Sequence, residues 1–109
     1  MSHEKNQGLI DALNNCAIVC SHCAMACLDE EDVKMLAKCI KLDIDCAEVC
    51  RVTASLLSRG STHGYHLLKE CAEICNACGE ECEKHSHMEH CKKCADVREA
   101  CADACHAVA

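Results

Sequence analysis

The sequence has 109 residues, a formal net charge of -7 and 15 cysteines, with no Phe, Trp or Pro and a single aromatic residue, Tyr65. That length suits one domain (1–109), and the acidic balance excludes a protein that neutralises a nucleic-acid backbone. Leu, Ile and Val number only 20, too few for an ordinary core, so the chain can bury a core only if its cysteines, which behave as small hydrophobes, are inside.

Without proline, and with glycine only at positions 8, 60, 64 and 79, nothing forbids long helices. Residues 1–7 read as a frayed N-terminus that includes His3. A first helix over about 8–28 carries Cys16, Cys20, Cys23 and Cys27, which at 100° per residue share a sector about 60° wide. A second, over about 31–58, opens after Asp29 with an acidic turn (Glu30, Glu31, Asp32). Its seam holds Cys39, Cys46 and Cys50, with Met35 and Leu42 alongside. Gly60 suits the left-handed residue that ends it. Ser61 or Thr62 then starts a third helix, about 63–84, with Cys71, Cys75, Cys78 and Cys82 on one stripe. Ser86-His87-Met88-Glu89 reads as a capping box for a fourth, about 87–108, whose Cys91, Cys94, Cys101 and Cys105 span about 80°. Short connections make neighbours antiparallel, so the fold class is all-α: an antiparallel up-down-up-down four-helix bundle.

The bundle is built from a duplicated helical hairpin. A shift of 55 residues places Cys16, Cys20, Cys23, Cys27, Cys39, Cys46 and Cys50 on Cys71, Cys75, Cys78, Cys82, Cys94, Cys101 and Cys105, leaving only Cys91, opposite Leu36. These stripes occupy the core-facing positions where a bundle normally has leucine. Beyond the cysteines the seams run into Leu9, Leu13, Leu57, Leu67, Leu68 and Val108, which collect at one end and predict an aliphatic plug. Cys27, Met35, Cys82, His85, His87, Met88 and Cys91 gather at the other end as a door. There His87 projects nearest the seam, ahead of His85 and His90, whereas His22, His66 and Met25 point away. Val33, Leu36, Ile40 and Ile44, with Ile18 and Met25, form outward apolar faces that predict a homo-oligomer interface.

Residues four apart on a helix have Cβ atoms about 5–6 Å apart, so the two thiolates of a C-x3-C pair can share one ion. There are six such pairs. They suit copper(I), a soft ion content with two or three thiolates. One copper(I) per thiol replaces a proton by a univalent cation and leaves the core charge unchanged, whereas zinc in four-thiolate sites leaves each site at -2 in an apolar interior. Zinc buffering, disulfide-stapled hairpins in a structural or interaction protein, an iron–sulfur carrier and a purely packed core stay open as alternatives. No stretch approaches membrane-spanning length, and the first fifteen residues lack an export pattern, so a cytoplasmic setting with reduced thiols is expected, with no membrane partner. No catalytic constellation is legible, and an enzyme is not expected.

The C-x3-C pairs repeated on all four helices, from about Leu9 to Val108, resemble the cysteine-rich four-helix-bundle copper storage proteins, the Csp family. The resemblance implies that all 15 cysteines bind multiple copper(I) ions inside the bundle, that Met35, His87 and Met88 stand at the copper entrance, and that the chain is cytosolic and assembles as a homotetramer. A second helix with only three cysteines departs from richer members in capacity.

Overall fold

Four α-helices of nearly equal length follow one another: α1 (Gln7–Leu28), α2 (Ala37–Ser58), α3 (Thr62–Glu83) and α4 (Glu89–Val108), with one 3-10 turn, Val33–Leu36, leading into α2. The computed structural model describes residues 6–108, so most of the stretch expected to fray, with His3, lies outside the described residues. Asn6 is already buried and donates a hydrogen bond to the Tyr65 hydroxyl (2.7 Å), tying the start of α1 to α3. α1 packs on α2 and α4, and α3 packs on the same two helices. The pairs α1/α3 and α2/α4 therefore face each other diagonally across the bundle axis.

The joints follow local chemistry. At the end of α2, Gly60 takes φ 72°. Its N–H bonds to Leu57 O and that of Ser61 to Leu56 O, each at 3.0 Å, closing the last carbonyls in a left-handed cap. The Ser61 hydroxyl then accepts from His63 N and caps α3.

The other two joints differ from expectation. α2 begins at Ala37 rather than near residue 31, because Asp29 caps the C-terminus of α1 and the acidic run to Asp32 forms turns. Four successive carboxylates beside the negative end of α1 oppose continued helix. The 3-10 turn instead rotates Leu36 fully into the core, which corrects its assignment to an outward face. The duplication explains the change, since Leu36 is the counterpart of buried Cys91. α4 likewise starts at Glu89, and Ser86 lies in the preceding turn.

At one end of the bundle Leu13, Leu57 and Leu68 are fully buried, with Leu9 and Ile10 nearly so, each fully buried leucine stabilising by about 1.5–3 kcal/mol. Leu67 is half-buried, and Val108, expected in this plug, is exposed because the last turn of α4 runs past it. The plug is tight: a Cβ on Gly64 would stand 2.9 Å from Leu57 Cδ2 and 3.2 Å from its backbone nitrogen. Helix α1 is long and apolar enough by composition to cross a membrane, with an 18-residue window of mean hydropathy 1.3, contrary to the expectation from sequence. Its cysteines raise that value, and half of the window is buried against the other helices.

Candidate metal centre

Each helix presents core positions at i, i+4, i+7 and i+11, the spacing that keeps side chains on one inward line. On α1 these are Cys16, Cys20, Cys23 and Cys27, and on α3 Cys71, Cys75, Cys78 and Cys82. On α2 and α4 the second position breaks the pattern: Asp43 stands between Cys39 and Cys46, and Arg98 between Cys94 and Cys101. All fifteen cysteines are buried and none is bridged.

Near the plug the sulfurs form a connected group. Cys46 Sγ lies 3.8 Å from Cys50 and 3.5 Å from Cys75, Cys50 lies 3.7 Å from Cys71, and Cys16 lies 3.7 Å from Cys20. Cys16, Cys46, Cys50 and Cys75, one or two from each of three helices, place their sulfurs within 4.8 Å of one another. Such a cluster offers only soft donors, which suits copper(I) or zinc and not a hard cation.

A second group sits at the opposite end. Cys27 Sγ is 3.9 Å from Cys23 and 3.8 Å from Cys91. His90 Nδ1 faces all three sulfurs, at 3.5 Å from Cys91, 3.7 Å from Cys23 and 3.8 Å from Cys27. Its Nε2 meets Glu30 Oε1 at 3.3 Å, a carboxylate partner that orients the ring. Burial, followed by the charge of Cys39, pushes the Cys91 thiol up to about 12. Burial, followed by Cys91, raises Cys27 too. Between the groups Cys39 and Cys82 approach to 3.3 Å, and together with Cys23 and Asp43 they make a third cluster within 4.8 Å.

Asp43 and Arg98 are completely buried and joined by a 2.8 Å ion pair. Arg98 Nη2 also donates to Cys94 Sγ at 2.9 Å, while Asp43 Oδ1 accepts from the Cys78 thiol at 3.1 Å. Burial, then negative charge at Cys82 and Cys39, raises the Asp43 carboxyl to about 7 against the Cys78 hydrogen bond and Arg98, which pull it down. Sequence reasoning missed this pair. The legible signal was the gap at i+4 in two of four otherwise identical stripes, and the two gaps correspond under the 55-residue shift.

The residues expected at the entrance lie farther out than His90. Met35 and His87 are exposed and Met88 is half-buried. With Asp29, Asp32 and Glu31 they line an open cleft of about 430 Å³ outside the thiol cluster. His85 is buried but turns to Glu81, with Nε2 3.4 Å from Oε2. Although burial opposes it, Lys84, His85 and Lys38 hold Glu81 below the ordinary carboxylate range, which fastens the turn between α3 and α4.

Comparison with known proteins agrees with this geometry. The family model described as copper storage protein matches residues 2–109. The chain is similar to the uncharacterized cysteine-rich protein YhjQ of Bacillus subtilis (strain 168), at 36% identity over 95% of each sequence. Its fold superposes with TM-score 0.90 on a cytosolic copper storage protein from Streptomyces lividans carrying five coppers, at 42% identity over 96% of this chain and 92% of that one. It superposes with TM-score 0.87 on apo copper storage protein 3 from Bacillus subtilis, at 35% identity over 94% and 96% of the two chains. The chain belongs to the copper storage protein family.

Proposed function

We propose that this protein stores copper(I), with multiple ions per chain held by the fifteen cysteine thiolates of a single domain spanning residues 1–109. The observation that carries the reading is the inward convergence of four cysteine stripes, which brings buried, unbridged sulfurs from different helices within 4.8 Å of one another at both ends of the core. At one copper per thiol the interior keeps its charge, which favours copper(I) over zinc. Cys23, Cys27, Cys91 and His90 form the receiving site, and the outer cleft with Met35, His87, Met88 and its carboxylates gathers the ion before it. Soft thioethers and an imidazole fit that task, and the surrounding negative charge attracts a cation.

The protein acts as a store rather than an enzyme. Its thiols lie in a packed core where they face chiefly one another, an arrangement that suits holding soft ions rather than turning over a substrate. A reducing cytoplasm keeps them free, and the Streptomyces lividans relative is a cytosolic protein. Ile18, Met25 and Leu28 on α1 and Ile44 on α2 stay exposed, which supports assembly into a homo-oligomer, a tetramer as in the family. Anaerobic titration of the reduced protein with copper(I) against a strong chelator, with zinc in parallel, tests the reading. Many tightly held coppers with little change in helicity, and few zinc ions, are expected. Retention of no copper, or preference for zinc, would refute it.

A further inference from the structure

We infer, on the copper(I) storage reading, that Leu36 is a selective gate: it stands between the acidic cleft and the thiols, admits copper(I) and holds back hydrated cations such as zinc.

The cleft at the open end, about 430 Å³, has carboxylates along its wall, among them Glu30, Glu31 and Asp32. Negative charge gathers any cation, so by itself it does not tell copper(I) from zinc. The lining also holds Leu36 and Met88 and, among the described residues, includes no cysteine. Leu36 is nonetheless fully buried and belongs to the same packed cluster as the thiols, with Met88 packed against that cluster. One aliphatic side chain therefore has the cleft on one side and the thiol core on the other.

The 55-residue repeat shows how this position departs from the pattern. Leu36 is the counterpart of Cys91, whose sulfur lies 3.8 Å from Cys27. A thiol at position 36 would extend the receiving site. Leucine withholds that ligand and sets an apolar surface in the path.

Two side chains close the way inward. His90 is held at both edges, by Glu30 at 3.3 Å and by the three sulfurs of Cys23, Cys27 and Cys91. Leu36 has no polar anchor, and it rides on the 3-10 turn Val33–Leu36, whose preceding Asp32 makes no side-chain cap. Bonds of the i→i+3 type hold the turn, Met35 N to Asp32 O at 3.0 Å and Ala37 N to Lys34 O, a poorer geometry than that of the α-helix. The turn is thus the part of the mouth that opens at least cost.

An apolar threshold sorts ions by what they must shed to cross it. A hydrated zinc ion has to be stripped of water that its double charge holds tightly, with no donor on the leucine to replace it. Copper(I) is univalent and accepts thioethers, which Met35 and Met88 supply in the cleft, so it crosses by exchanging one soft ligand for another. Each copper(I) that reaches the sulfurs displaces a thiol proton, which leaves to water.

Labelling of the reduced apo-protein with N-ethylmaleimide, mapped by peptide mass, reads the gate without metal. In Leu36→Ala, Cys27 and Cys91 should react about tenfold faster than in wild type, the effect of lowering a barrier by about 1.4 kcal/mol, while Cys50 and Cys71 beside the plug stay slow. Leu68→Ala loses the same side chain at the closed end, controls for lost stability, and should leave Cys27 and Cys91 at the wild-type rate. Should alanine at position 36 prevent folding, Leu36→Val is expected to give the same order of rates with a smaller factor. Stopped-flow uptake then compares the metals, and Leu36→Ala should take up zinc about tenfold faster with little change for copper(I). Cys27 and Cys91 reacting no faster in Leu36→Ala, or speeding up as much in Leu68→Ala, would overturn the gate, as would equal acceleration of both metals. A wild type that binds no copper(I) at equilibrium refutes the storage reading instead, an outcome separate from the labelling rates.

Discussion

The two ends of the bundle are made from the same hairpin and the same seam positions, yet they differ in kind. At the closed end the seams finish in Leu13, Leu57 and Leu68, all fully buried. At the open end they finish in thiols, His90 and a carboxylate, with acidic turns in place of the last helical residues. The closed end supplies the packing that a cysteine core lacks, since a thiol buries less apolar surface than a leucine side chain. That support lets the open end carry exposed polar groups and a loosened helix start. Stability thus rests on one end of the axis, and the metal access proposed above on the other.

The sharpest way to break this division is at the plug. Leu68→Ala is expected to cost about 2–5 kcal/mol, the range for a buried leucine cut to alanine, with copper capacity unchanged. Chemical denaturation of the apo-protein beside a copper titration checks both halves. A change of pH acts on the other end. Cys91 lies near 12 and Cys27 is raised, so both are protonated at neutral pH, and a copper held by two such thiolates displaces two protons. Affinity therefore falls as pH falls, by up to about 100-fold per pH unit, measurable by chelator competition across a pH series.

Gly64→Val tests how tight the closed end is, because its side chain meets Leu57. Overpacking of this sort costs about 1–3 kcal/mol, seen as a lower denaturation midpoint with unaltered loading. The smallest expected change in stability is that of His90→Ala. Its partner Glu30 is only half-buried, and pairs open to solvent contribute about 0–1 kcal/mol, so the variant should unfold almost as the wild type does. The rate of copper uptake should nevertheless drop, since the imidazole facing three sulfurs is gone. An unchanged uptake rate would remove His90 from the receiving site.

Much of this is legible in the sequence. The 3.6-residue period of the cysteines places them inward, the same seams run on into the leucines of the plug, although Val108 stays outside it, and the 55-residue repeat gives the hairpin duplication, because all three depend on spacing alone. Leu36 and the start of α2 were not legible. A run from Val33 to Ile44 has helical spacing on paper, but four acidic residues ahead of it force a 3-10 turn that rotates Leu36 inward. Projection along an ideal helix puts His87 ahead of His90 because it ignores where the helix begins. With α4 starting at Glu89, His87 falls in a turn and His90 takes the first inward step. Asp43 and Arg98 escaped because charged residues are expected outside, although the gap they fill was visible in two stripes.

The central claim is that the metal is held by sulfur inside the bundle rather than by carboxylates and imidazoles at its mouth. Copper K-edge X-ray absorption of the protein loaded with several equivalents of copper(I) tests it most directly. A first shell dominated by sulfur, with neighbouring copper atoms beyond it, is the predicted result. A shell of nitrogen and oxygen, with the thiols still free to react once the protein is unfolded, would contradict it.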